Sequence, residues 1–165
     1  MRVLNLPTLW TILLDALAWL ILSPAISFLT LRLPADAFDP QGWLYATRRW
    51  EREGELWNVL FRVRRWKSAL PSGGPALGGF SMRRFESTEP AYVRRWMAET
   101  CRAELAHWLQ IALAPLFFLW NVPVAGAIII VYALAANLPC IIVQRYNRPR
   151  VLRIQNEATP SAATH

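Results

Sequence analysis

Three long apolar stretches dominate this chain and restrict it to folds that place helices in a membrane. They cover residues 9–31, 103–120 and 122–143. A helix needs about 20 mostly apolar residues to cross a hydrocarbon core about 30 Å thick. A segment inside a bilayer must also satisfy its own backbone hydrogen bonds, which favours helices. The sequence therefore predicts an all-α membrane protein with about three transmembrane helices.

The second and third stretches are separated by a very short connection, Asn121 to Pro123, which predicts an antiparallel helical hairpin. Pro115 and Pro139 lie inside these stretches, where a missing backbone N–H is expected to bend or interrupt each helix. The first stretch also resembles a signal peptide, because Ser23 and its neighbours could form a small-residue cleavage region. Apolar sequence continues beyond that point, so a retained anchor is favoured.

The charge distribution predicts an orientation. The formal net charge is +7, from 18 Lys and Arg against 11 Asp and Glu. Basic residues are concentrated in the polar region 32–102 and directly after the third stretch. The positive-inside rule places both regions on the cytoplasmic side of a multi-pass cell-membrane protein. A nucleic-acid partner is not expected, because the cations lie beside the apolar stretches and no motif that reads bases is present.

The region between the first two stretches is more than a linker. Glu51 to Lys67 alternates aromatic and charged residues, which predicts an amphipathic helix or a helix–turn at the interface. Pro71 to Gly79 has the composition of a flexible loop. Glu89 to Arg102 is expected to be helical and to continue into the second stretch. Residues 1–151 therefore form one integral membrane domain, and residues 152–165 are expected to be a flexible cytoplasmic tail.

His107 is the strongest candidate for a general base, since the second histidine, His165, ends the tail. Glu104 precedes it by about one helical turn, so the two side chains occupy one helical face. An imidazole can take a proton near neutral pH, and a carboxylate can fix its tautomer. A histidine that pairs with a lipid headgroup or a neighbouring helix explains the same spacing equally well. No metal is expected, because a carboxylate-bridged dimetal site needs two such motifs.

A basic and aromatic segment, Gln144 to Arg150, follows the third stretch directly. Attraction to anionic lipid, about 1 kcal/mol per cation, is one explanation. Recognition of a phosphorylated donor such as coenzyme A is another, because the forked guanidinium suits phosphate. Uncharged Tyr146 and Asn147 and the stiffening Pro149 favour the second explanation, since membrane anchoring does not need them.

The stretches WEREGELWN, VRRWK, AELAHW and ANLPCIIVQRYNRPR closely resemble the glycosyl-4,4'-diaponeurosporenoate acyltransferase family of carotenoid-modifying membrane proteins. The similarity runs roughly from Arg32 to Val151. It implies an enzyme that esterifies a fatty acyl group from acyl-CoA onto a sugar hydroxyl of a glycosylated carotenoid, with acyl-CoA as substrate and no cofactor. The implied partners are membrane lipid, the carotenoid glycoside and acyl-CoA. A homo-oligomer or a partner in a membrane complex is also compatible with the short chain.

The resemblance and the chemistry together predict the site. His107 and Glu104 are the expected catalytic residues. Arg145 and Arg148 are expected to bind donor phosphate, and Arg150 to pair with a carboxylate such as Glu55 or Glu99. Gln144 or Asn147 is expected to hold the thioester oxygen. The full set of predicted substrate-binding residues is Trp57, Arg64, Trp66, Lys67, Glu99, Arg102, Asn137, Gln144, Arg145, Tyr146, Asn147, Arg148 and Arg150.

Two other functions stay open at this point. The chain could be a non-catalytic subunit that binds carotenoid or lipid within a membrane complex, because family resemblance alone does not guarantee activity. It could also be an acyltransferase that acts on another lipid. Product analysis separates both from the carotenoid reaction.

Overall fold

The computed structural model describes residues 4–70, 79–82 and 84–158, and every regular element in these ranges is helical. The predicted all-α class is therefore confirmed. The α-helices are α1 (Thr8–Arg32), α2 (Glu55–Phe61), α3 (Val63–Trp66), α4 (Pro90–Leu113) and α5 (Pro123–Ala158). Short 3-10 helices join them at Ala35–Ala37, Arg49–Gly54, Lys67–Ala69 and Ala114–Leu119.

Two helices, α1 and α5, are long and apolar enough to cross a membrane. In α1 the side chains of Leu9, Leu20 and Leu29 are 65%, 72% and 64% exposed. A soluble protein rarely exposes a continuous apolar surface of this kind, whereas lipid would cover it. These features indicate association with a membrane.

The predicted second span, residues 103–120, does not form a helix of its own. Its residues are divided between the end of α4 and the 3-10 helix Ala114–Leu119. Pro115 accounts for the division, because it cannot donate the next α-helical hydrogen bond. α4 also begins at Pro90 and carries charges such as Arg102. Within the part of the chain that the structure describes, α4 is therefore not among the helices that are long and apolar enough to cross a membrane, and the predicted three crossings are not shown.

α5 continues through Pro139 and Pro149 as one helix, so Pro139 does not interrupt it, and the bend predicted as the alternative stays a prediction. Its last residues include the start of the predicted tail, and residues 159–165 lie outside the described ranges. The hairpin prediction is confirmed, because α4 and α5 pack antiparallel. Their contacts run from His107 with Asn137 to Thr100 with Arg148.

Polar contacts attach α1 to this hairpin. Asp15 Oδ1 accepts hydrogen bonds from Trp120 Nε1 and Asn121 Nδ2, both at 2.7 Å, where α4 turns towards α5. Further along, Ser23 Oγ donates to Gln110 Oε1 at 2.7 Å. A carboxylate in an apolar helix is costly unless it is paired, and these donors satisfy it.

The segment predicted as an amphipathic helix or helix–turn takes the helix–turn form. A 3-10 turn leads into α2, and a left-handed residue, Arg62 with φ of 52°, separates α2 from α3. Gly54 directly precedes α2 and has φ of 87°, and a Cβ there would lie 2.9 Å from the carbonyl oxygen of Tyr146. Glycine therefore allows α2 to sit directly on α5. Of the predicted loop Pro71 to Gly79, residues 71–78 lie outside the described ranges.

Candidate functional site

A cavity of about 670 Å³ lies between α1, α4 and α5. Its α5 wall runs from Tyr132 to Ile154, about 33 Å at 1.5 Å per residue. Aromatic residues line both ends, among them Trp19 and Trp96. Polar side chains of α5 line the length between them, at Asn137, Gln144, Asn147 and Arg150. The site is therefore a long apolar channel with a polar strip along one helix.

His107 lies on the cavity wall, and its tautomer follows from its contacts. Its Nδ1 is 2.7 Å from Asn137 Oδ1. The Nδ2 of Asn137 donates to the carbonyl oxygen of Ala133 at 2.9 Å, which orients the amide with Oδ1 towards the imidazole. Nδ1 must then carry the proton, and Nε2 keeps its lone pair. No donor in the described part of the chain bonds Nε2, so it is free to accept a proton.

Glu104 occupies a different environment from the one predicted. It is fully buried away from the cavity and accepts hydrogen bonds from Arg145 Nε at 2.9 Å and Arg148 Nη2 at 2.7 Å. Trp108 Nε1 also donates to it, at 3.3 Å. The imidazole of His107 is instead oriented by Asn137. A catalytic role for Glu104 stays a prediction, and its contacts are those of an ion-pairing residue.

Arg145 uses all three of its nitrogens inside the protein. Besides Glu104, it donates to Glu51 Oε1 at 2.6 Å and to the carbonyl oxygen of Leu44 at 2.5 Å. Glu51 is fully buried as well. These bonds fasten the segment before α2 to α5.

Arg148 is similarly committed. Its Nε donates to Thr100 Oγ1 at 3.1 Å and its Nη1 to the carbonyl oxygen of Tyr45 at 2.6 Å. Together, Glu51, Glu104, Arg145 and Arg148 form what we call the buried ion cluster. Hydrogen-bonded pairing of this kind is what makes buried charge tolerable. The predicted contact of Arg145 and Arg148 with donor phosphate stays a prediction, and neither residue lines the cavity.

A second group of cations lies beside the polar strip. Lys67 lines the cavity, and its Nζ donates to Asn147 Oδ1 at 2.8 Å. Arg150 Nη1 pairs with Glu55 Oε1 at 2.5 Å, one of the two partners expected for it. Arg64 Nη2 shares that oxygen at 3.1 Å. The pKa of Lys67 lies below its ordinary value, because the side chain is partly buried and because Arg150 and Arg64 are close.

The cavity therefore divides the predicted site residues into two groups. Those that line it are His107, Lys67, Glu99, Arg102, Asn137, Gln144, Asn147 and Arg150. The others lie outside the cavity wall. The indole N–H of Trp57 donates to Glu51, and the indole N–H of Trp66 donates to the Phe61 carbonyl oxygen. The remaining predicted residues outside the cavity wall are Arg64, Glu104, Arg145, Tyr146 and Arg148.

Polar residues at the other end of the cavity were not predicted from the sequence. Gln110, Ser23 and Ser27 line the wall together with Trp19. Gln110 follows His107 by one helical turn, so an amide within an apolar stretch was the available signal. Glu51 was also missed, since its partner Arg145 is 94 residues away in sequence.

Comparisons with known proteins identify the family. A family model described as glycosyl-4,4'-diaponeurosporenoate acyltransferase matches residues 41–157. The protein of that name from Staphylococcus aureus strain MRSA252 is 35% identical over 137 residues, covering 82% of each chain. The chain belongs to the glycosyl-4,4'-diaponeurosporenoate acyltransferase family. The relative from strain bovine RF122 / ET3-1 is 34% identical with the same coverage.

Membership confirms the resemblance drawn from the motifs and identifies the chain as an acyltransferase. The matched range, residues 41–157, contains the positions of His107, Asn137, Lys67 and the buried ion cluster. No solved structure matches the chain.

Proposed function

We propose that this protein is an integral membrane enzyme that transfers a fatty acyl group from acyl-CoA to a sugar hydroxyl of a glycosylated carotenoid. The name of the Staphylococcus aureus relatives supports the acceptor class. The observation that carries the mechanism is His107 on the cavity wall, with Nδ1 tied to Asn137 and Nε2 free.

The reaction uses this free nitrogen. Nε2 takes the proton of the sugar hydroxyl as its oxygen attacks the thioester carbonyl carbon. The tetrahedral intermediate then expels the sulfur, and the imidazolium returns the proton to it, giving the ester and the free thiol. Base catalysis of this kind contributes roughly 10²–10⁴-fold. Asn137 keeps the imidazole in the required tautomer and accepts from Nδ1–H throughout.

The polar residues beside Trp19 suit the acceptor sugar. Gln110 and Ser23 are already hydrogen-bonded to one another, and both line the cavity near His107. Trp19 Nε1 is buried and has no hydrogen-bond partner among the described residues. Sugar hydroxyls can occupy such donors and acceptors while an aromatic face packs on the ring. The polyene would leave this end of the cavity towards lipid.

α1 belongs to the site, which supports a retained anchor. It contributes Trp19, Ser23 and Ser27 to the cavity wall, and its Thr30 carbonyl oxygen accepts from Arg102 Nε at 3.0 Å. Removal of α1 would open the part of the cavity that Trp19 to Leu31 line. We place the basic end of the site, with the central region and C-terminus, on the cytoplasmic side, where acyl-CoA is available and cations are favoured.

The test uses purified protein in liposomes with a glucosylated carotenoid and acyl-CoA, and mass spectrometry detects the ester. His107→Ala should lower kcat by roughly 10²–10⁴-fold. The matched control is His165→Ala, which changes the second histidine and should leave turnover unchanged. Turnover that survives in His107→Ala would remove the base assignment.

The same preparation separates the alternatives. Bound carotenoid in stoichiometric amount with no ester formed would identify a non-catalytic subunit. Esters formed on other lipids, with none on the carotenoid glycoside, would identify a different acceptor.

Asn137→Leu tests the orienting contact. It removes the acceptor for Nδ1–H while leaving His107 in place, so the wrong tautomer becomes accessible and kcat should fall roughly 10²-fold or more. Asn137→Asp keeps an acceptor oxygen and should retain much more activity. Equal rates for the two variants would show that this contact does not set the tautomer.

A further inference from the structure

Positive charge is left uncompensated at the basic end of the cavity. Lys67, Arg64 and Arg150 lie together, and the carboxylate that pairs there is Glu55, bound by both arginines through the same oxygen. Lys67 is partly buried and forms no ion pair with the described residues. Its partner Asn147 is neutral. Within the described ranges the three cations have one neighbouring carboxylate, Glu55, so this end of the cavity carries net positive charge and favours an anion.

The spacing along α5 gives the site a length. Asn137, which holds the base, and Asn147, which holds Lys67, are ten residues apart in α5, and both line the cavity. This corresponds to about 15 Å along the axis at 1.5 Å per residue. Gln144 lies between them, about 10 Å from Asn137 by the same measure.

A phosphopantetheine arm has matching dimensions. About 13 bonds separate its sulfur from its phosphorus, and an extended chain advances about 3.5 Å per three bonds, which gives about 15 Å. Its second amide group lies about 8–10 Å from the sulfur on the same scale, level with Gln144. A thioester placed at His107 therefore brings the phosphate to Lys67.

We propose that Lys67, together with Arg150, binds the phosphate of a phosphopantetheine thioester, and that Gln144 hydrogen-bonds an amide of its arm. This rests on the proposed function and names the part of the donor that each residue contacts. Coenzyme A and an acyl carrier protein both present this arm, and the donor arms of the experiment distinguish them. Glu99 also lines the cavity, but its carboxylate is paired with Arg102.

The buried ion cluster is a weaker candidate for this phosphate. Every guanidinium nitrogen of Arg145 and Arg148 already donates within the protein, and their side chains are 12% and 2% exposed. Neither residue lines the cavity, so a phosphate bound in the cavity does not reach them. Lys67 keeps two ammonium hydrogens beyond the one given to Asn147.

The test compares donors that differ in phosphate. Lys67→Gln should raise KM about 10-fold to 100-fold for acyl-CoA, the range expected for loss of one charged hydrogen bond, with a smaller change in kcat. The same KM increase should appear with S-acyl-4′-phosphopantetheine and disappear with S-acyl-pantetheine, which lacks the phosphate. Lys67→Arg should restore the KM, and Arg153→Gln, at an exposed ion pair, serves as the matched control.

The outcomes separate this proposal from the proposed function. Suppose that the wild-type protein forms ester and that Lys67→Gln raises KM for S-acyl-pantetheine as much as for acyl-CoA. That result would overturn the phosphate site and leave the transferase function standing. Absence of ester with every donor would overturn the proposed function instead. Turnover with acyl carrier protein but not with acyl-CoA, accompanied by the Lys67 effect, would support the site and identify the other source of the arm.

Discussion

Replacing Glu104 with alanine should separate a structural role from a catalytic one. Its carboxylate is fully buried and accepts from Arg145 and Arg148 on α5 and from Trp108 on its own helix. In Glu104→Ala, Arg145 keeps Glu51 as a partner. Arg148 loses the carboxylate it pairs with in the described structure and keeps neutral acceptors alone.

The size of the effect follows from this imbalance. Removing one partner of a buried ion pair typically destabilises a protein by about 3–5 kcal/mol. For a chain of this length the unfolding midpoint moves about 2–4 °C per kcal/mol, so a fall of roughly 6–20 °C is expected. Glu157→Ala is the control, because its pair with Arg153 is exposed and worth less than about 1 kcal/mol.

The assay has two readouts. Thermal unfolding in detergent, followed by tryptophan fluorescence, gives the midpoint, and kcat is measured below the midpoints of all variants. We expect a large midpoint shift for Glu104→Ala with kcat of the folded fraction within a few-fold of wild type. An unchanged midpoint with a collapsed kcat would refute this reasoning and restore Glu104 as a catalytic residue.

Two further predictions concern other contacts. Gly54→Ala should lower the unfolding midpoint. A residue with a side chain pays about 1–2 kcal/mol for this left-handed φ, and the new Cβ would lie 2.9 Å from the Tyr146 carbonyl oxygen. An unchanged midpoint would contradict this packing. Coenzyme A binding, measured by calorimetry, should weaken as pH rises through the pKa of Lys67, because the ammonium loses its charge. Burial and the nearby Arg150 and Arg64 hold that pKa below the ordinary 10.5, so the change should begin below that pH, and Lys67→Arg should abolish it.

The sequence predicted the helices best where hydropathy and length agree. α1 and the first part of α5 were found from long apolar stretches, although Asp15 lies within the first of them. The second span was overestimated, because a window beginning at Ala103 ignores that the helix has already run from Pro90 with charged residues. Average hydropathy also cannot show that Glu104 and Arg102 face protein partners.

The site was predicted only in part, because the sequence does not show which residues contact one another across helices. His107 stood out because histidine is rare in this chain, and it does line the cavity. Its orienting partner, Asn137, is 30 residues away, and helical spacing pointed to Glu104 instead. Arg145 lies in α5 and Lys67 packs against it, and the sequence does not distinguish a cation that is paired with Glu51 from one that faces a cavity.

The contacts of Asp15 also affect how the protein is made. Trp120 and Asn121 lie 105 and 106 residues later in the chain, so α1 leaves the ribosome long before they are translated. If α1 enters the bilayer as proposed, its carboxylate stays without these donors until the hairpin has been synthesised. Insertion of the first helix is then completed by the turn between α4 and α5, and chains truncated before Trp120 would hold an unsatisfied carboxylate in lipid.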